Sequence, residues 1–150
     1  MDTGGMNMKI TARIVTLLMT VVLACAALTG CSILNFTKPA SLEEYLNDPM
    51  MQKKLSIAAM STKTLFGEGM EELAVYVEDD TKLVYDCRIT DDISFGADAI
   101  AENINSDEFA ASCEKNIKDV RNEVGDNSIN FVYRYRYSSG EVFAEREISA

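Results

Sequence analysis

The order of apolar and polar positions changes character several times along this chain. From Ile14 to Leu28 apolar and small residues run on without a charge. From Ser41 to about Leu65, and again from Ala97 to about Val124, apolar residues recur at helical spacing. Elsewhere they alternate with polar ones, the period of a half-buried strand. Ser41 with Glu44 three residues on predicts a capping box, and Leu42, Tyr45 and Leu46 share the face that follows. Asn47-Asp48 reads as a corner, and Pro49 as the first residue of a longer helix carrying Met50, Leu55, Ala58, Ala59 and Leu65. Gly67 and Gly69 end it. In the later helix Ile100, Ile104, Phe109, Cys113, Ile117, Val120 and Val124 form one stripe, interrupted by a kink or break at Asn105-Ser106-Asp107 and stopped by Gly125-Asp126-Asn127.

Two strand pairs complete the pattern. Leu73, Val75 and Val77 alternate with Ala74, Tyr76 and Glu78, and Leu83, Tyr85, Cys87 and Ile89 follow beyond Asp79-Asp80-Thr81. A three-residue loop there keeps apolar faces together, pairing Val77 with Leu83, Val75 with Tyr85 and Leu73 with Cys87, and sets Glu78 against Lys82. Ile129, Phe131, Tyr133, Tyr135 and Tyr137 alternate with polar positions up to Ser139-Gly140. A two-residue loop at Ser139-Gly140 pairs Tyr137 with Val142, Tyr135 with Ala144, Phe131 with Ile148 and Arg134 with Glu145. The expected fold is α+β, in the order helix, hairpin, helix, hairpin. It is a four-stranded antiparallel sheet with helices on one face. The other face, with Asp86, Arg88, Arg134, Arg136, Glu145 and Glu147, is expected to stay in water.

The apolar run near the start is too short for a spanning helix, which needs about 20 residues, and suits the core of a signal peptide. Lys9 and Arg13 precede it; Met1, Met6 or Met8 could be the start. Leu28-Thr29-Gly30-Cys31 then resembles the bacterial lipobox. That resemblance implies cleavage before Cys31 and lipid on its sulfur, which holds the chain to a membrane outside the cytoplasm. Residues 1–30 are thus expected to be a lipoprotein signal peptide, 31–40 a lipid-attached tether and 41–150 one small domain.

Composition narrows the chemistry. The chain has a net charge of −10, which becomes −11 once Lys9, Arg13 and Asp2 leave with the signal peptide. Such acidity disfavours nucleic acid as a partner. There is no histidine, which removes the commonest general base and zinc ligand.

Ser41-Leu42-Glu43-Glu44-Tyr45-Leu46-Asn47-Asp48-Pro49, followed by Met51-Gln52-Lys53, is similar to the opening of an uncharacterised lipoprotein domain family of Gram-positive anaerobes. The later layout also resembles that family: a strand pair around Leu83-Val84-Tyr85, a long acidic helix and a terminal hairpin. The resemblance implies surface attachment and an α+β fold, and no activity.

Few residues invite a chemical role. Cys87 and Cys113 fall on inward faces and could either form a disulfide or remain as buried thiols. Tyr133-Arg134-Tyr135-Arg136-Tyr137 has the composition of a nucleic-acid platform, yet period two sends rings and guanidinia to opposite faces. The arginines could instead meet an anionic glycan or peptide. Asp79-Asp80, Asp91-Asp92 and Asp107-Glu108 lack the alternate spacing of a calcium loop. No catalytic residue, metal site or cofactor is expected. The expected function is a binding or accessory domain at the cell envelope, its partners the membrane through Cys31 and an envelope protein or glycan. The alternatives are an envelope enzyme acting on polysaccharide or peptide through carboxylates, or an inhibitor of another envelope protein. An apolar patch on the open sheet face, around Tyr76, Val84 and Phe143, would mark partner binding.

Overall fold

A computed structural model describes residues 38–66, 69–90 and 96–150. The apolar run, Cys31 and most of the tether lie outside them, as do Gly67 and Asp91-Asp92. Within them the chain is α+β, with four helices and a four-stranded mixed sheet.

The expected short and long helices on either side of the Asn47-Asp48 corner both form, and the later helix is broken in two at the expected interruption. Helix α1 (Leu42–Asn47) starts where the Ser41 hydroxyl accepts the Glu44 amide at 3.1 Å. The Glu44 carboxylate turns back to the Ala40 amide at 2.7 Å, one residue earlier than a standard capping box. At the corner, Asp48 Oδ1 accepts the amides of Met50 and Met51 at 2.9 and 3.1 Å and so caps α2 (Pro49–Phe66), whose first residue is proline. Met51, Ala58 and Thr62 line the buried side of α2, and Met50 points to water. Helices α3 (Ala97–Ile104) and α4 (Asp107–Val124) are separate elements. Asn105 and Ser106 turn their side chains onto the carbonyls of Ala101 and Asn103, while Ser106 also accepts the Phe109 amide. Short polar side chains that satisfy backbone groups locally break a helix in this way. All seven residues of the expected stripe are buried. Gly125 closes α4 in the left-handed conformation at φ +82°, with the Lys38 side chain lying where a Cβ would stand.

Strands β1 (Met70–Glu78) and β2 (Lys82–Ile89) form the first hairpin in the expected register, from Glu78 opposite Lys82 to Leu73 opposite Cys87. Its three-residue loop holds Asp79 and Asp80 at φ 52° and 60°, a region aspartate tolerates better than bulkier residues. Strands β3 (Asn130–Tyr137) and β4 (Val142–Ile148) form the second. Phe131 faces Ile148, Arg134 faces Glu145 and Tyr135 faces Ala144, as expected. The turn differs: Tyr137 pairs with Glu141 across Ser138-Ser139-Gly140, Gly140 takes φ +89°, and Arg136 rather than Tyr137 stands opposite Val142. The register shift leaves Phe143 as the extra residue of a bulge.

The wholly antiparallel arrangement is corrected. The strand order is β1-β2-β3-β4, and the central pair, β2 with β3, is parallel. The cause is the length of the helical return. The 18 residues of α4 rise about 27 Å at 1.5 Å each, close to the length of an eight-residue strand. One such traverse carries the chain back to the end where β2 began, so β3 starts beside it and runs the same way. Asn130 then pairs with Lys82, and its amide donates to the Thr81 carbonyl at 2.9 Å.

The inner sheet face joins apolar side chains from all four helices in one core. At its centre Tyr85 stacks on Tyr133 at 5.0 Å, with the edges of Phe131 and Phe109 closing the cluster.

Candidate functional site

The outer sheet face is where this fold concentrates interacting polar groups. Alternation puts Tyr76 and Glu78 on β1, Asp86 on β2, Arg134 and Arg136 on β3, and Glu145 on β4 on that one face. Parallel pairing sets Asp86 beside Arg134 and Arg88 beside Arg136. Arg134 is the centre. Its Nε donates to Glu145, its Nη1 to the Tyr76 hydroxyl at 2.7 Å, and its two terminal nitrogens to Glu78 at 3.4 Å each. The Tyr76 hydroxyl donates onward to Asp86 Oδ2 at 3.0 Å. Arg136 Nε donates to both Asp86 oxygens at 2.9 and 3.0 Å, and its Nη1 donates to the Gly140 carbonyl at 3.3 Å.

The expectation that this face stays in water is corrected for its centre. The Arg134 and Asp86 side chains are each only 12 % exposed. To reach Tyr76 and Glu78 on β1 from β3, Arg134 must cross β2, and Val84 and Val132 below are buried. Hydrogen bonding to Glu145 raises the Arg134 pKa. Partial burial and the bond to Asp86 raise the Tyr76 hydroxyl, against an opposing influence from Arg134. Arg134 therefore stays charged and Tyr76 neutral at neutral pH.

The apolar patch expected around Tyr76, Val84 and Phe143 does not form. Val84 is buried, Tyr76 is spent on Arg134 and Asp86, and the β4 bulge turns Phe143 toward Tyr137 and Tyr135, with ring centres 4.6 and 6.2 Å away.

Tyr133 and Tyr135 lie in the core while Arg134 and Arg136 lie on the opposite face. Cys87 and Cys113 are free buried thiols. Burial pushes the Cys87 thiol up to about 12 and raises Cys113, whose Sγ donates to the Tyr133 hydroxyl at 3.4 Å. Asp79-Asp80 forms the first hairpin loop, and Asp107-Glu108 the first turn of α4, where carboxylates complement the helix dipole. Among the described residues no group of three or more His, Cys, Asp or Glu is placed to hold a metal ion, and no helix is long and apolar enough to cross a membrane.

Three further groups escaped the sequence reading. Arg146 occupies an inner-row position on β4, and its Nη1 donates to the carbonyls of Ile104 and Ser106 at 2.7 Å each. The signal was available: alternation from Ala144 and Ile148 puts an arginine on the core side. Arg121 joins α4 to the carbonyls of Ile129 and Ala150 and to Asn130. The Tyr45 hydroxyl is buried beside Glu123 without a well-formed hydrogen bond, and burial raises the pKa of both groups.

These elements coincide with a family boundary. Residues 42–148, from the first residue of α1 to the last of β4, match a domain of unknown function, DUF4854. The chain belongs to the DUF4854 family. No curated protein and no solved structure matches it. The Arg134 network ties together all four strands of this DUF4854 domain, and the Arg146 and Arg121 bonds fix α3 and α4 to the sheet.

Proposed function

We propose that this DUF4854 chain is a cell-envelope lipoprotein. It is held to the membrane by lipid on Cys31, and its domain acts in binding or assembly, as an accessory to, or inhibitor of, another envelope component. The observation that carries the address is Leu28-Thr29-Gly30-Cys31 directly after the apolar run. The reading as a binding module is supported by how the reactive groups are used. Tyr76, Asp86, Arg134 and Arg136 neutralise one another, and burial keeps both thiols protonated. Cells expressing wild type and Cys31→Ala test it. Processing, acylation and membrane retention should all be lost in the variant. A variant retained as firmly and unprocessed defeats the proposal. Proximity labelling in the same strains should enrich an envelope protein only when the chain is anchored.

One observation favours the enzymatic alternative. Glu123 has a raised pKa beside a tyrosine hydroxyl, the kind of perturbed carboxylate an acid catalyst needs. If Glu123→Gln abolishes hydrolysis of an envelope glycan or peptide, that reading replaces the first.

A further inference from the structure

The charge of the chain is unevenly spread. Helix α2 is the one helix among the described residues with no acidic residue, yet it carries Lys53, Lys54 and Lys63 in a chain of net charge −10. Lys54 is half-buried near Glu123, whereas Lys53 and Lys63 are exposed and neither is ion-paired among the described residues.

The same helix carries the largest exposed apolar side chains. Met50, Ile57 and Met60 are 51, 56 and 69 % exposed. With Lys53 and Thr64 they recur at i, i+3, i+7, i+10 and i+14, which is one narrow stripe at 3.6 residues per turn. It lies opposite the stripe of Met51, Ala58 and Thr62 that packs on the domain. A helix whose exposed stripe is mainly apolar, with Lys53 within it and Lys63 beside it, has the form of one lying in a lipid–water interface.

Position agrees with this. Lys38 lies over Gly125 at the C-terminal end of α4, and Lys54 of α2 and Tyr45 of α1 both act on Glu123, near that same end. From Cys31 to Lys38 the chain can reach at most about 25 Å, at up to 3.6 Å per residue. The anchor therefore keeps this end of the domain close to lipid.

We infer that α2 rests on the anionic lipid surface to which the chain is anchored, with Met50, Ile57 and Met60 in the interface and Lys53 and Lys63 on the head groups. The inference rests on the anchoring proposed above. An anionic surface is required because the remainder of the domain is strongly acidic, whereas this helix carries three lysines and no carboxylate.

The chain contains no tryptophan, so one introduced indole is a unique reporter. The full chain carrying Met60→Trp is purified from membranes and placed in phosphatidylglycerol or phosphatidylcholine vesicles, with or without bromine on the acyl chains. Mass spectrometry of the same sample reads the acylation of Cys31. The expected result is a blue-shifted emission quenched by brominated phosphatidylglycerol, lost in Lys53→Glu with Lys63→Glu, and absent from a Lys115→Trp reporter on α4. Equal quenching of the two reporters overturns the inference. So does a blue shift that grows with protein concentration and ignores bromine, which would place a second copy on α2. Quenching equal in the two lipids overturns the anionic requirement. An acylated chain without quenching removes this inference and leaves the anchor, whereas quenching of an unacylated chain added to vesicles does the reverse.

Discussion

The Arg134 guanidinium and the Tyr76 hydroxyl are 2.7 Å apart although an entire strand, β2, separates their own. The contact is possible because parallel pairing places Asp86, not a bulky apolar residue, beside Arg134. The long side chain lies across the sheet, and hydrogen bonds occupy both of its edges.

Removing that side chain leaves Asp86 and Tyr76 half-desolvated with fewer partners. Arg134→Met is expected to cost about 1.5–3 kcal/mol, the range for hydrogen bonds to charged groups. Arg134→Lys should recover little, because an ammonium cannot donate to Glu145 and Tyr76 as a planar fork does. Urea unfolding of Arg134→Met, Tyr76→Phe and the double variant should show a coupling energy of at least about 0.5 kcal/mol. Strict additivity would mean that the contact contributes nothing.

Cys87 and Cys113 should resist alkylation at pH 8 in the folded protein, since burial disfavours both thiolates. Both of these residues should take up label on unfolding in urea without reductant. Label that reaches them only after reduction would reveal a disulfide instead. Because the folded Cys87 value, about 12, lies above the ordinary 9.0, the folded state holds that proton more tightly. Its contribution therefore makes stability fall as pH rises from 9.0 toward 12.

Glu123 obeys the same sign at lower pH. Burial raises its pKa above the ordinary 4.5, so stability is greatest while the carboxyl is protonated and falls as pH climbs through and beyond 4.5. Glu123→Gln should flatten that part of the curve, as followed by thermal melts from pH 4 to 7. Tyr45→Phe removes a buried hydroxyl that lacks a well-formed hydrogen bond, and is expected to be neutral or to stabilise by up to about 1 kcal/mol. A loss of 2 kcal/mol or more would show that the hydroxyl is satisfied in solution.

Arg146 should behave as a clamp on the α3–α4 corner. Arg146→Met leaves the Ile104 and Ser106 carbonyls without this donor, at a cost of about 1–2 kcal/mol. Hydrogen exchange should quicken in α3 first, while the β2–β3 amides stay protected. Uniform acceleration everywhere would mean only global destabilisation.

Local structure was largely legible because it is written in neighbouring residues. Caps at Ser41 and Asp48, the α3–α4 stripe and the first hairpin register all follow from spacing alone. Misreadings arose where longer range or finer geometry decides. Strand direction depends on how far α4 carries the chain, which no pattern within β2 or β3 encodes. Phe143 changed face because a glycine at φ +89° shifted the turn by one residue and created a bulge. The ion-pair network was half visible: Arg134 opposite Glu145 came from hairpin parity, but its reach to Tyr76 required knowing that β2 and β3 adjoin.

The parallel pairing also imposes an order of events on a chain made from its N-terminus. The first hairpin can close as soon as Ile89 is available, but the partner of β2 begins only at Asn130. Until then Leu83, Tyr85, Cys87 and Ile89, all buried in the finished fold, sit on an open strand edge. Through that interval this sheet is at its most prone to pair with a wrong neighbour.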